Sequence, residues 1–579
     1  MELERYRKYS DMARGIIPAE LVFKNAFVFL AHTEEFCQED VAVTDGMIIG
    51  VGKYRGEKEI DLTGRYLCPG FIDSHLHLES TLVTPAELIH QAALCGTTTF
   101  IVDPHESANV SGTDGIDYIL KQTEDSPANV YVMMPSCVPA THVDDNGASL
   151  TAGKMRAYLD NRRILGLGEV MDAASVVQGS VSMYEKLALF KDRVRDGHAP
   201  FLADGDLAAY VLAGISTDHE CVDYEYAMKE LRNGMQVLIR EGSAARNLEA
   251  IVSGIVKNNT DTEGFCFCTD DKHIEEIQRE GHINYNVRKA VKLGLPAAKA
   301  VKMATLNAAK CYGLKHLGAI APGYQADFVI FNNIEDFCVE SVYHRGKEIR
   351  KEEKIQIGLC PPQLKNTVHV LNFGPDRLRI SHPGTKAKVI LMEEGQITTK
   401  EVEEQVPYQE DSGGRYFVSD DTFQKIAVIE RHKYTGKVGT GILKGFGIRN
   451  GAIASSVSHD SHNIIVAGDN DNDMLIAVQE LIRTQGGYTL VEKGEVFDTL
   501  PLPVMGLMSD LGFDEVNRIL ARMLKKAHGM GIPSGFDPFI TLSFMALPVI
   551  PEIRITPRGL YIVKEDRMQR SPFSGPLTE

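Results

Sequence analysis

Between residues 20 and 65 apolar and polar side chains alternate, first as Leu-Val-Phe-Lys-Asn-Ala-Phe-Val-Phe-Leu, then as Val-Ala-Val-Thr-Asp-Gly-Met-Ile-Ile-Gly-Val-Gly. A period of two is the signature of a strand with one face buried, and Asp45-Gly46 between two such runs predicts a hairpin. The same texture returns over 318–349. Two β segments flanking a long middle section predict one small sheet domain, assembled from residues 1–65 and 313–362. Within 66–312 the pattern changes to short apolar runs separated by helical stretches such as 85–94 and 224–232. Strands are predicted at 71–77, 98–103, 130–135, 164–169, 215–219, 236–240 and 265–270, with a short one ending near 198. Eight alternating strand–helix units of this total length predict a (β/α)8 barrel of parallel strands. From 363 to 579 a third section mixes strands (387–392, 425–430, 463–467) with helices (471–483, 514–528), an α+β pattern without internal repeat.

A chain of 579 residues exceeds what one core supports, in keeping with several domains. Its 44% hydrophobic and 24% charged content is that of an ordinary globular protein. A formal charge of −18 argues against a nucleic-acid partner, which demands a basic footprint, and favours a small neutral or cationic substrate, or a metal cation. The first residues lack the apolar core of a signal peptide, and no stretch approaches the length of a membrane span. Ten cysteines, scattered from Cys37 to Cys360, follow neither a disulfide framework nor a zinc-knuckle spacing. Reduced thiols and a cytoplasmic location are expected.

The chemistry concentrates at Pro-Gly-Phe-Ile-Asp-Ser-His-Leu-His, residues 69–77. On an extended strand Asp73, His75 and His77 share a face, and two imidazoles so spaced grip one metal ion. Reactive groups of this barrel type sit at the C-terminal strand ends. There the chain carries Asp103, His105 and Glu106 after the second strand, Glu169 at the fourth, His198 after the fifth, His219 at the sixth and Asp270 at the eighth. Four histidines and two carboxylates facing one mouth would hold two divalent ions with a bridging carboxylate. Asp103 is open to two readings, a contact with the substrate or an orienting partner of a metal-bound histidine. Glu241 and Lys272 are candidate mouth residues or ordinary surface charges, and Glu79 braces the loop after the first strand. His459, Asp460 and His462 are of metal-ligand type, but a structural turn is the expected role.

The 69–77 strand resembles that of the amidohydrolase superfamily, metal-dependent hydrolases with a (β/α)8 barrel beside a small β domain. Within it the chain is similar to the bacterial adenine-deaminase type. The similarity rests on His75-Leu-His-Leu-Glu-Ser-Thr, Asp103-Pro-His-Glu, Gly168-Glu-Val-Met, Asp196-Gly-His-Ala-Pro, Asp218-His-Glu, Arg240-Glu-Gly-Ser, Cys268-Thr-Asp-Asp-Lys-His, His459-Asp-Ser-His-Asn and Leu542-Ser-Phe-Met-Ala-Leu-Pro. It spans nearly the whole chain, including an adenine-deaminase-type third section. The resemblance implies that His75 and His77 ligate the more buried metal and Glu169 bridges. His198 and His219 would hold the outer ion, and Asp270 would be ligand and proton carrier. Glu169, His219 and Asp270 form the implied reacting set, with Asp103, His105, Glu106, Glu241 and Lys272 near the substrate. Two divalent ions, manganese or iron, would activate hydroxide to attack C6 of adenine, giving hypoxanthine and ammonia in purine salvage. Deamination of another purine or related heterocycle is the alternative, and a non-catalytic scaffold a remote one. The His-x-Glu…Pro-Cys-x-x-Cys pattern of the unrelated one-zinc deaminases is absent. A homo-oligomer, a dimer or larger, is expected.

Overall fold

The alternating N-terminal runs form strands Ala19–Leu30, Glu35–Thr44 and Met47–Gly52, paired antiparallel in sequence order. Between the last two, Asp45 and Gly46 adopt φ of 51° and 72°. Two successive positive φ values match the twist of a tight hairpin, which is why this dipeptide suits it. Tyr66–Pro69 pairs antiparallel with Phe328–Phe331, so both ends of the middle section meet in one sheet. Val339–His344 and Lys347–Ile349 extend that sheet to eight strands. The computed structural model describes residues 2–570 other than 244, 353–354, 356, 383, 385, 393–397, 536 and 564–566. The end of the expected third section, 571–579, lies outside the described residues.

Eight parallel strands follow: β1 (Phe71–Leu76), β2 (Thr97–Val102), β3 (Asn129–Met134), β4 (Ile164–Val170), β5 (Val194–Gly197), β6 (Thr217–Asp218), β7 (Gln236–Arg240) and β8 (Phe265–Cys268). β1 to β5 form one sheet and β6 to β8 another. The Ser216 N–H donates to the Arg195 carbonyl at 3.0 Å, and the Asp270 N–H to the His75 carbonyl at 3.0 Å, so the parallel sheet curls. Alternation sorts its side chains. Ile72, Ile101, Met133, Leu238, Cys266 and Cys268 form one cluster, while Val237, Ile239, Phe265 and Phe267 pack among helical residues such as Ile251 and Val287. β6 is shorter than predicted because the Asp218 carboxylate captures the N–H groups of Ala199 and Glu220, at 2.6 and 2.7 Å, and takes the chain out of the ladder.

In the third section an eight-stranded sheet includes Lys386–Met392, Phe423–Ile429 and Ile464–Gly468, with helix Asp471–Thr484 on one face. Along its central strands Ala427, Ile429 and Val466 pack with Met474 and Leu481 of that helix. The alternate residues Ile426, Val428 and Ile465 share a core with Leu88, Phe100 and Ile119 of the parallel-sheet region. Both faces are buried, so these strands read as near-continuous apolar runs. Among the described residues no helix is long and apolar enough to cross a membrane.

Candidate metal centre

The C-terminal ends of the parallel strands converge on one pocket. His77 donates from Nδ1 to the Asp103 carbonyl at 2.9 Å, which fixes its tautomer and leaves the Nε2 lone pair facing inward. There it lies 3.2 Å from His75 Nε2. Glu169 Oε1 is 3.7 and 3.4 Å from these two nitrogens, and Asp270 Oδ1 is 3.8 and 3.2 Å from them. Donors about 2.1 Å from a tetrahedral ion lie about 3.4 Å from one another, so this quartet has the spacing of a ligand set. The second oxygen of Glu169 faces another pair: His198 Nδ1 at 3.0 Å and His219 Nε2 at 3.4 Å. Glu169 thus divides its oxygens between two imidazole pairs.

These residues fit a metal-binding centre. Glu106, Glu169, Glu220, Asp270, Asp271 and Asp460 all line the pocket, where Arg240 is the one arginine among the described residues. Buried carboxylates in such excess need compensating positive charge. Burial disfavours charge on His198, but Glu220 and Glu169 outweigh it and push its pKa up to about 9. Glu169 and Asp270 stay ionised: burial opposes this, yet neighbouring imidazoles, and for Asp270 also Arg240, hold both well below the usual carboxylate range. Glu169 Oε1 has no hydrogen-bond partner among the described residues.

Arg240 and Glu220 are site residues that sequence reasoning missed. Arg240 grips Glu220 with both terminal nitrogens and reaches Asp270 Oδ2 at 3.0 Å. Glu220 Oε1 in turn lies 3.6 and 3.5 Å from His198 and His219. Alternation along β7 held the signal: Leu238 faces the inner cluster, so Arg240 does too and Glu241 does not. Glu241 instead binds Lys289 at 2.8 Å and Arg246 at 3.5 Å. Lys272 donates to the Glu241 carbonyl and sits over the Tyr285 ring, so neither Glu241 nor Lys272 lines the pocket.

Asp73 also departs from its predicted place. Pairing between β1 and β2 shifts register between Asp73 and Leu76, which breaks the alternation. Asp73 accepts from the Thr269 N–H and hydroxyl and from the His75 backbone N–H, and it lies 3.3 Å from His282 and outside the pocket lining. The Asp103 side chain meets the backbone that carries Glu169. Its Oδ2 accepts the Glu169 N–H at 2.9 Å, and a Cβ on Gly168 would approach that oxygen to 2.2 Å. Glu79 accepts the Ser107 N–H and so braces the helix His105–Ser111, whose first residues are His105 and Glu106. His105 lies between Glu169 and Asp460, its Nδ1 3.2 Å from the former and its Nε2 3.9 Å from the latter.

The third section enters the site, where a mere turn was expected. His459 Nδ1 lies 2.7 Å from Glu106 Oε1, and His462 Nε2 meets Glu106 Oε2. The Ser458 N–H donates to His462 Nδ1 at 3.2 Å. That nitrogen is therefore the acceptor, and the neutral ring carries its proton on Nε2, toward Glu106. Burial keeps the ring neutral, its pKa pushed down to about 3. His462 is thus a hydrogen-bond donor to Glu106. Phe544, Leu547 and Ile550 complete the outer wall beside Met171.

Known proteins match this sequence. A family model for the amidohydrolase family matches residues 66–349, and one for the adenine deaminase C-terminal domain matches 396–567. The chain is 57% identical to an adenine deaminase of Desulfitobacterium hafniense, over 97% of this chain and 98% of that protein. It is 43% identical to adenine deaminase 2 of Carboxydothermus hydrogenoformans, over 95% and 96%. An adenine deaminase of Nitratidesulfovibrio vulgaris is also 43% identical, over 96% of each chain. With strand-end imidazoles and carboxylates gathered in one pocket, and with relatives this similar along almost its entire length, the chain belongs to the adenine deaminase family of the amidohydrolases.

Proposed function

We propose that this chain deaminates adenine hydrolytically, releasing ammonia and leaving hypoxanthine. The observation that carries the reading is the division of Glu169 between two imidazole pairs, in a chain so similar to curated adenine deaminases. The eight parallel strands of 66–312 are read as a closed barrel, with 1–65 and 313–362 as a composite β domain and 363–579 as a third domain. His75, His77, Glu169 and Asp270 would hold one divalent cation, and Glu169, His198 and His219 a second. Manganese and iron both suit such donors.

Paired cations there would supply Lewis acidity, making water a nucleophile near neutral pH. The protein's own groups do the rest. Asp270, oriented by Arg240 through Oδ2 and standing beside His77 through Oδ1, is placed to take a proton from the attacking water. The C6–O bond forms as the C6–N1 π pair moves onto N1, Asp270 returns its proton to the amino nitrogen, and the bond from C6 to that nitrogen breaks as the pair re-forms C6–N1, releasing ammonia. Met171, Phe544, Leu547 and Ile550 give the ring an apolar seat that excludes bulk water. Protein reconstituted with manganese or iron should release ammonia from adenine in a purine panel. Inertness toward adenine together with turnover of another base would overturn the assignment.

A further inference from the structure

Most of the polar atoms around the pocket answer to one another. Glu106 is met by His459 and His462, Glu220 by Arg240, and Asp271 by the Ser80 hydroxyl. Glu169 Oε1 also lacks a hydrogen-bond partner but lies within the metal-type donor set, whereas Asp460 stands outside that set. It lines the pocket and is 2% exposed, yet its Oδ2 has no hydrogen-bond partner among the described residues. Its other oxygen lies 3.9 Å from both His105 Nε2 and His459 Nδ1, beyond hydrogen-bond reach. A buried carboxylate oxygen left unpaired is costly, and in a substrate pocket the missing partner is a donor on the substrate.

The surroundings hold that oxygen in place. The His459 ring stacks on Phe544, centroids 4.7 Å apart and planes 19° from parallel. His462 and Asn463, on the same loop, are tied to Glu106 and to the Asp145 carbonyl. Asp145 also binds Lys437 and Arg558 at 2.8 and 3.0 Å, fastening this wall to the loop after β3. His105 stands between Asp460 and the bridging Glu169. A ring whose amino-bearing carbon lies over Glu169 would therefore turn its far side toward Asp460.

We propose that Asp460 is a specificity-determining residue supplied by the third section, accepting the imidazole-half N–H of a free purine base through Oδ2. The inference rests on the adenine reading and deepens it: a free base offers a ring N–H, whereas a nucleoside carries its sugar there. A site built to accept a substrate N–H strongly rejects analogues that lack it, because its own buried acceptor is then stranded.

The test compares adenine with 9-methyladenine, which has no ring N–H, on manganese-loaded wild-type, Asp460→Ala and Asp460→Asn proteins of measured metal content. Wild type should prefer adenine by about 100-fold or more in kcat/KM. Both variants should keep their metal and lose about 10- to 100-fold on adenine, with little change on 9-methyladenine, so that the preference collapses. Adenine turnover within threefold of wild type in metal-replete variants would overturn the assignment while leaving the adenine reading intact. An equal loss on both substrates would also overturn it, since Asp460 would then act without reading the N–H. A wild type inert toward adenine would overturn the adenine reading and this inference together.

Discussion

At the scale of single residues, the site depends on how firmly Glu169 is aimed. Its backbone N–H is bound by Asp103, which packs against Gly168 so closely that no side chain fits there. Gly168→Ala places a methyl 2.2 Å from Asp103 Oδ2, so Asp103 must move and the strand end that carries Glu169 moves with it. Loss of an orienting partner typically costs about 10- to 100-fold in metal affinity. Equilibrium dialysis should show a weakening of that size for manganese, with the folded circular-dichroism spectrum retained. Unaltered affinity would show that Asp103 has no part in aiming the bridge.

At the scale of elements, legibility followed the regularity of the backbone. Strict alternation over 71–77 pointed to His75 and His77, yet it misplaced Asp73, because a register shift in β1 cannot be seen in a residue pattern. On β7 the opposite happened: the regular strand was legible, but its last inward position, Arg240, was passed over for the adjacent Glu241. One residue along a strand exchanges its two faces. His459 and Asp460 were visible as residue types, but the loop that carries them meets Glu106 across 353 or more positions of sequence, and no local pattern encodes such a meeting. Packing fixes it, through the apolar core shared with Leu88 and Phe100 and through Asp145. Burial works against the Asp145 charge, but Arg558 and Lys437 outweigh it and hold its carboxyl below the ordinary value. A carboxyl depressed on folding contributes stability above its unfolded pKa, about 3.9, and loses it as pH falls toward the folded value. Asp145→Asn should therefore cost about 2 kcal/mol at pH 7, and the gap from wild type should narrow below about pH 4. Thermal unfolding followed from pH 7 to pH 3 checks this. A gap that stays constant with pH would rule out the charged clamp.

At the scale of the whole molecule, the ends of β1, β4 and β8 and the loops after β5 and β6 deliver the metal-type side chains, and the third section walls the pocket they form. No single segment contains the site. His75 and Asp270 lie nearly two hundred residues apart in the chain, yet the hydrogen bond between the Asp270 N–H and the His75 carbonyl sets them side by side. The parallel strands bring the donors together, and Glu169 links the two sets by giving one oxygen to each. The measurement that tests this most directly is a titration of metal-free protein with manganese, following bound metal and ammonia release from adenine together, on wild type and Glu169→Gln. The account predicts that activity rises until two equivalents are bound per chain, and that the variant retains at most one and stays inactive. Full activity at a single equivalent, or two tightly held ions in Glu169→Gln, would contradict it.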